Sequence, residues 1–232
     1  MSVQSRRGRK VEAPKRNPVT IFYIAIGAVL IVGIAFLVTM MVRGNDVATE
    51  APTAPVGQTA EGFYYKGNPE APITVIAYED YQCPACAFFN RNLKPILERD
   101  YINTGQVQFV YHEFPLDIHP NAVPAAAAAR CAGDQGSFWQ MHDTIFANQS
   151  VWANLSSTTN VFSGYAGQLG LDRTAFESCL ASETHVAAIT AAGGSSIEAG
   201  VGATPTFSVN GQLVDSGGLI PAIDAALRAS GQ

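Results

Sequence analysis

Cys83-Pro84-Ala85-Cys86 is the stretch of this 232-residue chain best equipped for chemistry. Two thiols three positions apart can close a disulfide and open it again. They follow the apolar run 73–78 and precede a segment of helical spacing, so they fall where a strand passes into a helix N-terminus. Backbone N–H groups and the helix dipole at such a place favour a thiolate over a thiol. Cys83, at the helix start and the more exposed by geometry, is the expected nucleophile. Cys86, one turn further on the same face, is the expected resolving thiol. A substrate thiolate attacks the Cys83 sulfur of the disulfide, and a second substrate thiol then displaces the mixed disulfide and leaves the pair reduced. Run backwards, the same steps reduce or isomerise disulfides. Pro84 and Ala85 complete the motif but supply no histidine to hold a thiolate, so a Cys83 pKa below that of a free thiol, without being extreme, is expected. The readings without redox turnover are a static short-loop disulfide and a pair of zinc ligands. No His-x-His or second Cys-x-x-Cys completes a zinc set, although Cys131 and Cys179 could contribute, and no metal is expected. Thiol exchange needs no cofactor.

The surrounding pattern supplies a scaffold for the pair. A turn cluster at 67–72 leads into a β-branched strand at 73–78. A helix over 86–101 follows, kinked at Pro95, and then a strand at 107–111. Helical patterns next occupy about 120–197. Asp172 is the N-cap of one of these helices, with Leu171 and Phe176 at hydrophobic-staple spacing. Gly193-Gly194 should weaken or end another. Residues 206–209, the turn Asn210-Gly211 and residues 212–215 read as a β-hairpin, and a helix over 220–229 closes the chain. The layout is α/β with a helical insertion. His142 shares the apolar face of its helix and reads as a core histidine with satisfied nitrogens. Phe138 and Trp139 read as core, and His119 carries no assigned role.

Charge and hydropathy divide the chain. Residues 1–18 hold six basic residues against Glu12 alone, while the whole chain has a formal charge of −5. The remainder is therefore strongly acidic, which argues against a nucleic-acid surface. Residues 19–42 contain no charge and suffice to cross a bilayer as an uncleaved signal anchor touching lipid. The basic flank places 1–18 in the cytoplasm and everything beyond the span outside it. Residues 43–61, rich in Ala, Thr, Pro and Gly, read as a flexible linker, and 62–232 as the folded domain. All four cysteines lie beyond the span, where disulfides form. They allow three pairings, of which the close pair leaves Cys131 with Cys179. That bridge reads as a structural staple worth about 4 kcal/mol in the chain-entropy model. A regulatory pair or two free buried thiols are the other readings.

Asp80-Tyr81-Gln82-Cys83-Pro84-Ala85-Cys86 after a strand resembles the redox motif of the DsbA-like thiol–disulfide oxidoreductases of thioredoxin fold. The resemblance runs from about 67 to 229. It takes in His119-Pro120, Arg130-Cys131-Ala132, Gln135-Gly136-Ser137-Phe138-Trp139, Met141-His142-Asp143 and Gly202-Ala203-Thr204-Pro205-Thr206-Phe207. It implies a thioredoxin fold with an inserted helical subdomain. It also implies a cis-proline at Pro205 beside the cysteine pair, with Thr204 next to it as a substrate ledge. The residues alone also allow a trans proline opening an edge strand. The family often has a buried acid six positions before the first cysteine, where this chain has Ala77. Glu79 and Asp80 are close by on opposite faces of the strand, and a solvated face serves Glu79 at least as well as a proton-transfer role. The resemblance and the compartment together imply an oxidase acting on reduced or unfolded exported proteins, regenerated by a quinone-linked membrane partner. A reductase or isomerase, or a tethered non-catalytic chaperone or binding module, are the alternatives.

Overall fold

The computed structural model describes residues 18–43 and 52–231. The expected basic tail and the first part of the expected linker lie outside the described residues. The chain divides into two compact units, Met1–Asn45 and Asp46–Gln232. In the first, α1 (Pro18–Arg43) is a single 26-residue helix. Its side chains are described from Phe22 to Ala35 apart from Ala25, and Phe22, Val29 and Ile31 among them are exposed. Among the described residues no helix is long and apolar enough to cross a membrane.

The second unit is built on a six-stranded sheet in the order β1-β2-β4-β3-β5-β6. β1 (Val56–Gln58) and β2 (Tyr64–Lys66) pair antiparallel at one edge. β1 lies inside the segment expected to be a flexible linker. It is ordered because it finds a ladder partner in Tyr64–Lys66, and Gly67 N–H donates to Pro55 C=O beside it. Gly57 leaves room for the Tyr65 ring, since a Cβ would stand 2.6 Å from the Tyr65 hydroxyl.

β3 (Ile73–Glu79) is central, parallel to β4 (Val107–Glu113) and antiparallel to β5 (Thr206–Val209). Ile73, Val75, Ala77 and Glu79 alternate onto one face and are all essentially inaccessible. The period of two thus carries a carboxylate onto the same buried face as three apolar side chains. α2 (Pro84–Asn92) starts directly after the cysteine motif, with Pro84 in its first turn. It breaks before α3 (Lys94–Leu97), because Pro95 has no N–H to continue the ladder, and a π-helical turn at Glu98–Ile102 completes the segment.

Between β4 and β5 come six helices: α4 (Ala122–Gly133), α5 (Phe138–Ala147), α6 (Gln149–Trp152), α7 (Thr159–Gln168), α8 (Arg173–Ala181) and α9 (Val186–Glu198). α4 buries Ala125, Ala126, Ala128, Ala129 and Ala132, and these small side chains let its neighbours pack close. Asp172 caps α8 by accepting from Ala175 N–H. Contrary to the expectation at Gly193-Gly194, α9 runs unbroken to Glu198. α9 buries Ile189, Ala192, Gly193 and Ser196 and packs against α4 and β4, and this packing offsets the roughly 1 kcal/mol that a helical glycine costs. A disulfide joins Cys131 on α4 to Cys179 on α8 at a Cα separation of 5.9 Å.

β6 (Gln212–Val214) forms the hairpin with β5. Asn210 and Gly211, at φ 47° and 92°, make its turn, and the Asn210 side chain accepts from Thr74 N–H to tie it to β3. α10 (Leu219–Ala229) then packs against β3 and β5.

Candidate active site

The β3–α2 junction fixes Cys83 as the N-cap of α2, with extended backbone at φ −68° and ψ 123°. Its N–H donates to Asp80 C=O at 3.1 Å, and its own carbonyl accepts from Ala87 N–H. Pro84 and Ala85 are exposed, Cys83 is 7% exposed, and Cys86 is fully buried. The two sulfurs are not bonded to each other. Their surroundings shift the two thiols in opposite directions. The Cys86 thiol donates to the Cys83 sulfur and does most to draw Cys83 down to about 5. Burial opposes this, and hydrogen bonds from Thr204 and the backbone of Cys86 and Ala85 add to it. Burial, and then the hydrogen bond to Cys83, push Cys86 far above the thiol range.

Thr204 faces the nucleophile with two groups. Its carbonyl oxygen, 3.4 Å from Cys83 Sγ, accepts from the thiol. Its hydroxyl is buried and has no other partner among the described residues, so it is available to donate to the thiolate. The Thr204–Pro205 peptide is cis. Cys83, Cys86, Thr204 and Pro205 thus form one site, whereas Cys131 and Cys179 lie apart in the helical block and are bonded to each other.

Beneath the thiols is a buried polar chain. Glu79 has no accessible surface and accepts from Asn90 Nδ2 at one carboxylate oxygen, while the other has no partner among the described residues. This overturns the solvated-face reading of Glu79. Burial raises its pKa to about 8. The Asn90 hydrogen bond and the Lys94 charge pull the other way, and Cys83 and Asp143 push it further up. Asn90 also donates to Cys86 C=O, and its oxygen meets His142 Nε2 at 3.0 Å. His142 Nδ1 meets the Tyr81 hydroxyl at 3.0 Å, so both ring nitrogens have partners, as a core histidine requires. Burial, and then Lys94 and Lys66, hold His142 well below its ordinary value. Lys94 is itself buried. Burial pushes its ammonium down, but Asp143 and Glu98, each 2.8 Å away, more than offset this and hold it above its ordinary value.

Side chains from the helical block clamp the motif loop. Gln149 Nε2 donates to the carbonyls of both Tyr81 and Cys83, at 2.8 and 2.9 Å. Gln82 donates to Ala153 C=O and accepts from Asn121 N–H. Asp80, also buried, accepts from Gln82 N–H, Leu116 N–H and His119 Nδ1. Sequence reasoning missed Asn90, Gln82, Asn121 and Gln149 and gave His119 no role. Glu79 had a readable signal, because it shares strand parity with Ala77.

A dithiol at a helix N-cap, with one sulfur acidic and its partner buried, on a mixed sheet with a helical insertion, defines a thioredoxin-like thiol–disulfide oxidoreductase. Residues 59–227 match the family model described as thioredoxin. The chain is 24% identical over 183 residues to disulfide bond formation protein D of Bacillus subtilis, covering 74% of this chain and 76% of that protein. It is 30% identical over 147 residues to a putative protein-disulfide oxidoreductase of Rickettsia conorii, covering 62% of this chain and 52% of that one. A Na(+)/H(+) antiporter of Salinispora arenicola is 35% identical over 168 residues, covering 72% of this chain and 24% of the antiporter. The chain thus spans about a quarter of that antiporter and about half of the rickettsial protein. Among solved structures it is similar to oxidised BdbD from Bacillus subtilis, with a TM-score of 0.66 at 26% identity, covering 75% of this chain and 98% of that one. Wolbachia pipientis alpha-DsbA1 gives a TM-score of 0.58 at 28% identity, covering 68% and 78%. The chain belongs to the thioredoxin family, in its DsbA-like branch of thiol–disulfide oxidoreductases.

Proposed function

We propose that this chain is a membrane-tethered oxidase that installs disulfides in reduced, exported proteins. The observation that carries the reading is the seating of Cys83 at the α2 N-cap against Thr204, with Cys86 wholly buried behind it, an arrangement that lowers the pKa of Cys83 and raises that of Cys86. A thiolate stable at neutral pH stabilises the reduced pair, and the disulfide is then a stronger oxidant. A thiol drawn from 9.0 to about 5 moves the potential at pH 7 by up to about 60 mV in the oxidising direction, less whatever solvent screening removes. In the oxidised enzyme a substrate thiolate attacks Cys83 Sγ, the Cys83–Cys86 bond breaks, and Cys86 leaves as the thiolate and takes a proton. A second substrate thiolate then attacks the substrate sulfur of the mixed disulfide and expels Cys83 as its stabilised thiolate.

Thr204 and Pro205, against the Cys83 sulfur, would hold an extended stretch of substrate by strand addition. Ile118, 79% exposed beside His119, offers apolar surface to unfolded clients. The uncharged stretch 19–42 and the basic flank before it, as sequence, support an anchor with the catalytic unit outside the cytoplasm. A quinone-linked membrane oxidase is the class of partner that would restore the disulfide. Equilibration of the protein in glutathione buffers tests the direction. A potential toward the roughly −120 mV of DsbA supports an oxidase, and one near about −270 mV overturns it in favour of a reductase. Carbonate extraction of membranes tests the anchor, since a peripheral protein would be released.

A further inference from the structure

The second cysteine pair sits in a setting that a staple does not require. Cys131 and Cys179 sulfurs and a ring nitrogen of His185 all lie within 4.8 Å of one another. Asp134 stands among them, with Oδ2 at 2.8 Å from His185 Nε2 and 3.5 Å from Cys179 Sγ. We propose that, when its disulfide is reduced, this cluster is a zinc site ligated by Cys131, Cys179, His185 and Asp134.

The donor set is two thiolates, an imidazole and a carboxylate, which suits a borderline-soft dication in tetrahedral geometry. Zinc bond lengths of about 2.0–2.3 Å put tetrahedral ligand atoms roughly 3.3–3.8 Å apart. The Cys179–Asp134 distance already matches. The His185–Asp134 distance needs to open by about half an ångström, and the two sulfurs separate to that range once their bond is broken. Cys131 lies in the last turn of α4 and Cys179 in the last turn of α8, so both sit at the negative ends of helix dipoles. With the Asp134 carboxylate, that field disfavours a lone thiolate and favours a cation. The same field argues against a second disulfide-exchange centre, which needs a stabilised thiolate. Cys131 is buried and Cys179 partly exposed, so the site has one open side. The chemistry balances with a dithiol as reductant. The Cys131–Cys179 bond breaks, the dithiol closes to its own disulfide, and two thiols form. Zinc then binds as those thiols release two protons, and the His185 ring carries its proton on Nδ1 so that the Nε2 lone pair, freed from Asp134, meets the metal.

The test uses the full chain in detergent as the Cys83→Ser/Cys86→Ser variant, so that only the second pair can respond. Reduced with a phosphine, it is titrated with Co2+ and then Zn2+. The expected result is one Co2+ per chain, with sulfur-to-cobalt charge-transfer bands and the strong visible bands of a tetrahedral ion, displaced by Zn2+. The oxidised protein should show none. His185→Ala and Asp134→Asn should each weaken binding by about tenfold or more. Zinc should also raise the Tm of the reduced protein and leave that of the oxidised protein unchanged. No cobalt spectrum, no Tm rise in the reduced protein, or binding unaffected by both substitutions overturns the proposal.

Discussion

Replacing Glu79 with glutamine should change the pH dependence of stability by a calculable amount. Glu79 is wholly buried, and its pKa in the fold, about 8, stands above the ordinary 4.5. The folded state therefore holds a proton between those values that the unfolded chain has released. Stability from this group is intact below about 4.5 and falls as pH rises towards 8. Each pH unit in that window costs about 1.4 kcal/mol, less near either end, so between pH 5 and pH 8 the wild type should lose about 3.5 kcal/mol on this account. The amide introduced by Glu79→Gln cannot ionise but can still accept from Asn90, so the variant lacks this slope. Cys83 titrates in both proteins and cancels in the difference. Urea unfolding of the two reduced proteins from pH 5 to pH 8 measures it. The variant should gain on the wild type by about 3.5 kcal/mol across the range, whatever its offset at pH 5. A difference that stays constant within about 0.5 kcal/mol would refute the claim that Glu79 is a neutral buried acid.

The catalytic assignments give sharper outcomes. Cys86→Ser should accumulate mixed disulfides between Cys83 and client proteins on non-reducing gels, and Cys83→Ser should abolish turnover; normal turnover by the latter contradicts the assignment. Alkylation of the reduced protein by iodoacetamide should rise with pH around a midpoint of about 5 and level off before neutrality, as the Cys83 thiolate fills. A midpoint at the free-thiol value of about 8.5 would remove the basis for an oxidising potential. Cys131→Ser/Cys179→Ser should lower unfolding stability by about 4 kcal/mol through the 48-residue separation it unlinks, and a loss under about 1 kcal/mol would show that the bridge is not a staple.

Where the chain's own local chemistry decides the structure, the sequence was legible. The strand 73–78 is a β-branched run, Asn210-Gly211 permits the positive φ angles of a two-residue hairpin, and Asp172 carries its cap on its own side chain. α9 escaped because its packing against α4 and β4, distant in sequence, decides whether the glycines break it. β1 escaped because a three-residue strand has too short a pattern to stand out from a linker. Gln149 escaped for the same reason as α9, since a glutamine reaching carbonyls 66 and 68 positions away leaves no periodic trace.

Glu79 is different, because strand geometry alone could have placed it. Side chains two apart on a strand point to the same face, so an acid missing at Ala77 and present at Glu79 has moved along the strand without changing sides. The last residue of β3 lies one short turn from Cys83, and α2 covers that face with Asn90, whose amide binds both the Glu79 carboxylate and the Cys86 carbonyl. Asp80, one residue later, points the other way and is taken up by Leu116 and His119. Of the two neighbouring acids, one therefore has a partly unsatisfied carboxyl under the thiols, and the other is fully used in holding the loop around them.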